Sequence, residues 1–383
     1  MHSNLVFSLK DDRVEKWEIV DEIPDECKCR SNMTGKIHNF CYSLPENPRT
    51  RGKPFDCKWV SEIEQIDAIH RGNYIDLKTQ NISEPVFVTA FSVKFEKNGR
   101  RVIHSIRKLG FRNKIIVYNL GISEKEMKLL KRGCNVEVRH FPFEKYPRTF
   151  KSLSFFKWKP IIIAQTTAEF GAVWYMDTSV ILTKNDTSHV LSLLTCHQNV
   201  HSPPTIPPSE YRDRRERTRK HEDGWDINVW EENRRECAKS SYLLHGYSGH
   251  GIFSATHPKV FDYFPTNFDE IKKEKAKMYE AGFVFSVRTE DTMQNILKWY
   301  VLCALTDECM NPIGSKHLCL FKNDRFSQSA NCHRYDQSII NIVLANKFGY
   351  DRHYYSSEIV DFFEIKRELS MQTYSIECVS NSN

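Results

Sequence analysis

The sequence from residue 85 to residue 177 alternates short apolar, β-branched runs with amphipathic segments, and this alternation limits the fold more than any other feature. The apolar runs predict three strands, at residues 86–91, 114–118 and 136–141. The segments between them predict helices, as do residues 158–169. Strands that alternate with helices at this spacing predict an α/β fold with a mostly parallel central sheet flanked by helices.

A single carboxylate closes the next apolar run. Residues 172–176 predict a buried strand, and Asp177 follows it directly. Open α/β sheets bind ligands at the carboxyl ends of their strands, so Asp177 is placed to hold a divalent cation against a phosphate. The alternative is that Asp177 accepts hydrogen bonds from the backbone N–H groups of the next turn. Its position alone leaves both interpretations open.

Composition excludes several broad classes of protein. The chain has 383 residues and is 40% hydrophobic, which is enough for one large core or two smaller ones. Its formal net charge is only +6, so it lacks the basic surface typical of a protein that binds nucleic acid. The sequence also contains no Walker-type or Gly-x-Gly-x-x-Gly phosphate loop, which argues against nucleotide hydrolases and dinucleotide oxidoreductases.

Cysteine is abundant and clustered. The chain has 12 cysteines, and eight of them lie in two groups: Cys27, Cys29, Cys41 and Cys57, then Cys303, Cys309, Cys319 and Cys332. Such clusters predict disulfides formed in an oxidising compartment. Structural zinc is the competing interpretation, but neither group contains the Cys-x2-Cys pair that zinc sites usually show.

Three acceptor sequences for N-glycosylation, at Asn32, Asn81 and Asn185, also favour the secretory pathway. Residues 1–20 contain neither a signal peptide nor a membrane span, because charged residues are spread through them. Either a targeting segment is absent from this version of the chain, or the compartment interpretation is wrong. We favour the first alternative, with that segment as the only contact with a membrane. The expected location is the Golgi or ER lumen, or outside the cell.

The sequence predicts three regions: a cysteine-bearing stem or cap at 1–80, an α/β domain at 81–360 and a C-terminal tail at 361–383. Residues 203–240 interrupt the domain with prolines and a mixed-charge run. They predict a solvated loop or a lid whose arginines meet an anionic ligand. Further strands are predicted at residues 249–254 and 282–287, and further helices at 289–305 and 335–348.

Five segments resemble a glycosyltransferase-like family that is abundant in nematodes and known only as a domain of unknown function. They are residues 114–123, 158–163, 173–179, 297–305 and 332–338. At the level of the fold, the chain resembles nucleotide-diphospho-sugar transferases of the GT-A type. The resemblance implies a GT-A-like sheet with a cysteine-rich N-terminal extension, a nucleotide-sugar donor, and a glycan, glycoprotein or glycolipid acceptor.

The resemblance also implies a metal site. In GT-A enzymes an Asp-x-Asp motif follows a strand, and its carboxylates bind Mn²⁺ or Mg²⁺ across the diphosphate of the donor. A hard cation neutralises the charge that develops as the nucleoside diphosphate departs. Asp177 matches the first acid of this motif, and Ser179, a weaker neutral ligand, replaces the second. His353 lies near the position of a histidine metal ligand in some families.

The remaining candidate site residues lie on both sides of Asp177 in the sequence. Asp336 and Gln337 resemble an Asp-Gln pair that begins a helix facing the sugar and the acceptor, and we predict that they are catalytic. Asp336 would orient the donor sugar or accept a proton from the acceptor hydroxyl; helix capping is the alternative. Four further residues are predicted to contact the donor: Thr89, Ala90, Gly282 and Arg334.

Together these features predict a glycosyltransferase that moves a sugar from a nucleotide-sugar donor to a hydroxyl acceptor. The alternative is a catalytically inactive GT-A-like pseudoenzyme or secreted binding protein. Ser179, in place of an acid, is the residue that most supports this alternative.

Overall fold

A computed structural model describes residues 23–191, 193–194 and 240–377. The predicted insertion at 203–240 lies outside these ranges except for its last residue. The strands are β1 Lys28–Arg30, β2 Ile37–Asn39, β3 Ser43–Leu44, β4 Asn47–Arg51, β5 Val86–Phe91, β6 Ile115–Asn119, β7 Val136–His140, β8 Ala172–Met176, β9 Val180–Leu182, β10 Tyr242–Leu243, β11 Tyr247–Gly251, β12 Lys277–Tyr279, β13 Phe283–Val287 and β14 Phe363–Ile365.

The helices predicted after residue 85 are present, whereas the helix at residues 60–70 and three four-residue helices were not predicted. The helices are α1 Val60–His70, α2 Glu96–Lys108, α3 Glu124–Leu130, α4 Trp158–Phe170, α5 Ser188–Leu191, α6 Phe268–Ile271, α7 Lys298–Leu305, α8 Asp307–Met310 and α9 Asp336–Lys347. A π-helical segment, Thr292–Leu297, leads into α7. The helix predicted at 289–305 is therefore continuous in the chain but irregular in its first half.

A six-stranded sheet, in the order β10-β13-β8-β5-β6-β7, forms the centre of the fold. Strand β5 pairs in parallel with β6 and with β8, and β6 pairs in parallel with β7. Strand β13 runs antiparallel between β8 and β10. The predicted mostly parallel sheet is thus confirmed, and the carboxyl ends of β5 and β8 meet at one edge.

Helices cover both faces of this sheet. Residues of α4, α7 and α9, including Ile162, Leu302 and Ile339, pack in the larger buried cluster with the β5 residues Val86, Val88 and Ala90. Val102, Ile103 and Ile106 of α2 pack against the other face, in a cluster with Trp174. Because β5 and β8 are buried on both faces, they read as continuous apolar runs in the sequence.

The N-terminal extension is part of the same core. Disulfide Cys27–Cys41 links the segments before β1 and after β2, and Cys29–Cys57 ties β1 to the turn before α1, which confirms the disulfide interpretation. The ring of Tyr42 lies 5.0 Å from that of Phe264 and 5.4 Å from that of Trp299. Residues 23–80 therefore form a cap that packs on the sheet domain.

The described part of the predicted tail is anchored as well. Strand β14 pairs antiparallel with β9. Arg101 of α2 then donates to the carbonyl oxygen of Lys366 at 2.7 Å and pairs with the Glu368 carboxylate at 3.1 Å. The C-terminal segment thus closes the α2 side of the sheet.

The second cysteine cluster is also bridged, by Cys303–Cys309 and Cys319–Cys332. No cysteine in the described ranges is free. The asparagines of the three acceptor sequences are all exposed. No helix in the part of the chain that the structure describes is long and apolar enough to cross a membrane.

The cap contains a partly buried carboxylate that should make its stability depend on pH. Glu64 accepts hydrogen bonds from the hydroxyls of Ser31 and Thr34, both at 2.6 Å, and contacts His38 Nε2 at 2.9 Å. Burial raises the pKa of Glu64, but these partners outweigh it and bring the pKa to about 2. Because the folded pKa lies below the unfolded value of 4.5, this stabilisation is present above pH 4.5 and is lost as the pH falls towards 2.

We therefore expect the thermal unfolding midpoint of the wild type to fall more steeply than that of Glu64→Gln between about pH 5 and about pH 2. The glutamine keeps the shape of the side chain but removes its titration. Parallel curves for the two proteins would contradict this assignment.

Candidate active site

The centre of the site is a lysine at the start of α4. Lys159 lies in the first turn of the helix, next to Pro160, and its side chain is only 3% exposed. Proline is tolerated there because the first-turn N–H groups have no partner within the helix. The apolar residues that follow, such as Ile162, hold the helix against the core and so fix the lysine.

Two carboxylates converge on this lysine. Its Nζ lies 3.1 Å from Asp177 Oδ2 and 2.7 Å from Asp336 Oδ2. Asp177 follows β8, whereas Asp336 is the first residue of α9. We call Lys159, Asp177 and Asp336 the carboxylate–lysine triad. The predicted site residues Asp177 and Asp336 thus lie together on Lys159, while their roles stay predictions. Asp177 is the more exposed, with 29% of its side chain accessible against 6% for Asp336.

A tyrosine completes the hydrogen bonding of Asp177. The Tyr175 hydroxyl donates to Asp177 Oδ1 at 2.9 Å. Burial, and then the charge of Asp177, raise the pKa of this hydroxyl well above its usual range, so it stays a donor. Both oxygens of Asp177 are therefore engaged, one by Tyr175 and the other by Lys159.

Burial and ion pairing act in opposite directions on the pKa values of Asp336 and Lys159. Burial raises the pKa of the Asp336 carboxyl, and the Lys159 ammonium opposes this shift. Burial lowers the pKa of Lys159, but the two carboxylates outweigh it and the net shift is upward. The ammonium is thus held charged between two acids, and the triad carries a net negative charge when both acids are ionised.

Gly282 is required by the geometry of Asp177. Its carbonyl oxygen accepts a hydrogen bond from the Asp177 N–H at 2.7 Å. A Cβ atom on Gly282 would lie 2.9 Å from Asp177 Oδ2. Gly282 therefore makes room for the carboxylate, and its contact with a donor stays a prediction.

We expect Gly282→Ala to lower the free energy of unfolding by about 1–3 kcal/mol, because the new methyl group would push Asp177 away from Lys159. Gly246→Ala is a matched control, since its nearest neighbours would lie 3.9 Å and 4.0 Å away. Urea denaturation followed by tryptophan fluorescence would compare the two. Equal losses of stability in the two variants would show that Asp177 can move away from the new methyl group without an energetic cost.

The predicted metal ligands do not assemble into a site for Mn²⁺ or Mg²⁺. Asp177 already binds an ammonium and a hydroxyl, and Ser179 offers only a neutral oxygen. The ring of His353 is paired with Asp351, at 2.8 Å. The described residues contain no group of three or more His, Cys, Asp or Glu side chains that could hold a metal ion. The residues present therefore do not fit a divalent cation, and His353 as a ligand stays a prediction.

The other predicted site residues have varied surroundings. Ala90 and Tyr175 belong to the same buried cluster, whereas the neighbouring Thr89 side chain points to the opposite face of β5 and is buried there. Gln337 and Arg334 flank the triad at the start of α9 and are partly exposed. Their roles, like that of Thr89, stay predictions.

Aromatic rings surround the approach to Lys159. The ring of Phe156 lies 5.2 Å from Lys159 Nζ and 6.2 Å from the exposed ring of His317. His317 also stacks with Tyr335, whose centroid is 6.1 Å away. Tyr335 has φ +45°, a conformation costly for a residue with a side chain, and it directly precedes Asp336.

Sequence reasoning missed Lys159 and Tyr175. The signal for Lys159 was present, because a lysine between Trp158 and Pro160 interrupts an otherwise apolar helix start. Lysine is almost never fully buried unless it is paired, so a charged residue in such a run indicates a buried acid elsewhere. Tyr175 gave no such signal, since its strand predicts it as core.

Comparison with known proteins identifies part of the chain. Residues 27–164 match the family described as Protein of unknown function (DUF1647). The predicted resemblance to an uncharacterised family is thereby confirmed. The match includes Lys159 and ends before Asp177 and Asp336. No curated protein matches the chain.

Several solved glycosyltransferases are distantly similar. The bifunctional glycosyltransferase WbbM, in its apo form, is 13% identical over 70% of this chain and 38% of its own, with a TM-score of 0.35. The galactosyltransferase LgtC, in complex with donor and acceptor sugar analogues, is 10% identical over 74% of this chain and 87% of its own, with a TM-score of 0.37. Apo GlyE of Streptococcus pneumoniae TIGR4 is 12% identical over 72% of this chain and 45% of its own, with a TM-score of 0.33.

Proposed function

We propose that this protein is a glycosyltransferase that moves a sugar from a nucleotide-sugar donor to a hydroxyl group of a glycan, glycoprotein or glycolipid. The observation that carries the proposal is the convergence of Asp177 and Asp336 on Lys159 at the carboxyl edge of the parallel strands. Open α/β sheets bind their ligands at this edge. Paired carboxylates and a fixed cation are also the groups that sugar transfer needs.

In the proposed reaction the acceptor oxygen bonds to the anomeric carbon of the donor sugar. The bond from that carbon to the diphosphate oxygen breaks, and the nucleoside diphosphate leaves with the electron pair. The proton of the acceptor hydroxyl passes to Asp177, the more exposed of the two carboxylates. Asp336, followed by Gln337, holds the start of α9 next to Lys159, and Lys159 offsets part of the negative charge of the two carboxylates.

The aromatic approach supports a sugar ligand. Phe156 and His317 present partly or fully exposed rings beside Lys159. The C–H face of a sugar ring is apolar and packs on such surfaces, while its hydroxyls bond to polar groups. Arg334 raises the local positive charge near His317, which favours a phosphate-bearing donor.

The disulfides and exposed glycosylation sequences support a secretory location. Four bridges join cysteines of the described ranges, and such bridges persist in oxidising compartments. We propose the Golgi or ER lumen, or secretion, with glycans on Asn32, Asn81 or Asn185.

The proposal is tested by incubating the protein with a panel of nucleotide sugars and measuring released nucleoside diphosphate, alongside calorimetric titration with UDP. We expect turnover of at least one donor and a loss of about 100-fold or more in Asp177→Asn. Asp307→Asn is the matched control, because Asp307 pairs with Lys157 outside the triad.

Failure of every donor, together with no heat of UDP binding, would overturn the proposal and favour a pseudoenzyme or binding protein. One observation supports that second candidate. The carboxylates of the triad are already paired inside the protein, as in a purely structural ion cluster.

A further inference from the structure

The charges of the triad show which cation the two acids hold. A divalent cation in a GT-A-like site would lie between carboxylate oxygens, at about 2.0–2.6 Å from each. Here an ammonium lies between Asp177 and Asp336, at 3.1 Å and 2.7 Å. Those distances are normal for charged hydrogen bonds from nitrogen to oxygen.

The helix start makes this lysine unusual. Lys159 is in the first turn of α4, where the helix dipole is positive and disfavours a cation. Burial to 3% exposure disfavours it further. The ion pairs with the two carboxylates oppose both effects and keep the ammonium charged.

The ammonium is also enclosed and cannot easily leave. The rings of Phe156 and Tyr175 lie 5.2 Å and 5.5 Å from Nζ, and both attract a cation through their π faces. Asp336 is held in turn by α9, whose inner residues are fully buried. A divalent ion entering between the acids would have to displace the lysine and break both ion pairs.

We infer that Lys159 is the resident cation of the Asp177–Asp336 pair and excludes divalent metal from it. The functional meaning rests on the proposed donor site: the nucleotide-sugar donor binds and reacts without Mn²⁺ or Mg²⁺.

The decisive experiment is a titration of the purified full chain with Mn²⁺, followed by electron paramagnetic resonance, in which bound Mn²⁺ loses its sharp six-line signal. We expect wild type and Asp177→Asn to bind Mn²⁺ equally weakly. Lys159→Met leaves two facing acids, and we expect it to bind Mn²⁺ about tenfold or more tightly than wild type. The double variant Lys159→Met/Asp177→Asn should lose this gain.

Lys157→Met is the matched control. Lys157 is also buried at the start of α4, but it pairs with the single carboxylate of Asp307. Its replacement should not raise Mn²⁺ affinity. One equivalent of Mn²⁺ bound to wild type and lost in Asp177→Asn would overturn the inference, and this comparison decides it even when Lys159→Met does not fold.

A second measurement separates the inference from the proposed function. Calorimetric titration with UDP should give the same affinity in EDTA and in Mn²⁺, within about twofold. Binding that requires Mn²⁺ would overturn the inference. No UDP binding under either condition would overturn the proposed function. The Mn²⁺ titration would still test whether Lys159 excludes divalent metal from the two acids.

Discussion

Replacing Lys159 with methionine is expected to lower the free energy of unfolding by about 3–5 kcal/mol. Methionine fills much of the same volume, so the loss comes from charge. Asp336, with 6% of its side chain exposed, and Asp177 would face each other without a counter-ion. Urea denaturation followed by tryptophan fluorescence and far-UV circular dichroism would measure the change.

Two variants separate charge from packing. Lys157→Met removes a lysine just as buried, but its partner Asp307 has 46% of its side chain exposed and can be hydrated instead. We expect this control to lose less, about 1–3 kcal/mol. The triple variant Lys159→Met/Asp177→Asn/Asp336→Asn should recover most of the stability, because no buried charge is left unpaired. Equal losses of unfolding free energy in Lys159→Met and Lys157→Met would contradict the expectation that the two facing acids of the triad make Lys159 more important for stability.

Reduction of the disulfides is expected to unfold the protein at physiological temperature. Removing one native disulfide costs about 2–5 kcal/mol, and a whole domain is stable by only about 5–15 kcal/mol. Four bridges join described cysteines, so losing all of them should exceed the total stability. Thermal unfolding with and without a phosphine reductant, followed by circular dichroism, would test this.

Paired serine variants should rank the bridges by the length of chain they close. Cys29–Cys57 spans 28 residues and Cys303–Cys309 spans 6. Loss of the longer one should cost about 1 kcal/mol more, because it restricts the unfolded chain more. A cooperative transition that reductant leaves unchanged would show that the core alone supports the fold.

The central sheet could be predicted from sequence because its signal is local. Val86–Phe91 is a strand with the bounds that its apolar run predicts, and Asp177 follows β8 as expected. Such runs are continuous because both faces of each strand are buried. Strand β14 was missed, since an alternation over only three residues is too short to identify a strand, and its pairing with β9 joins distant parts of the chain.

The candidate site was predictable only in part, because sequence patterns reveal local elements but not contacts between distant residues. Asp177 and Asp336 each follow or begin a regular element, so local patterns reveal them. Their common partner Lys159 became visible only in three dimensions, because pairing of buried charges depends on how α4 crosses the sheet edge. The cap also gave no sequence signal for its packing, since contacts such as Tyr42 with Trp299 are not periodic.

The position of β8 has a practical consequence for expressing this protein. The family match ends at residue 164, inside α4, and β8 lies after that point. Because β8 pairs with β5 in the middle of the sheet, a recombinant fragment cut there would expose the backbone donors and acceptors of β5 to other chains. Such a fragment is expected to aggregate, so an expressible unit has to include β8 and extend through β14, which pairs with β9.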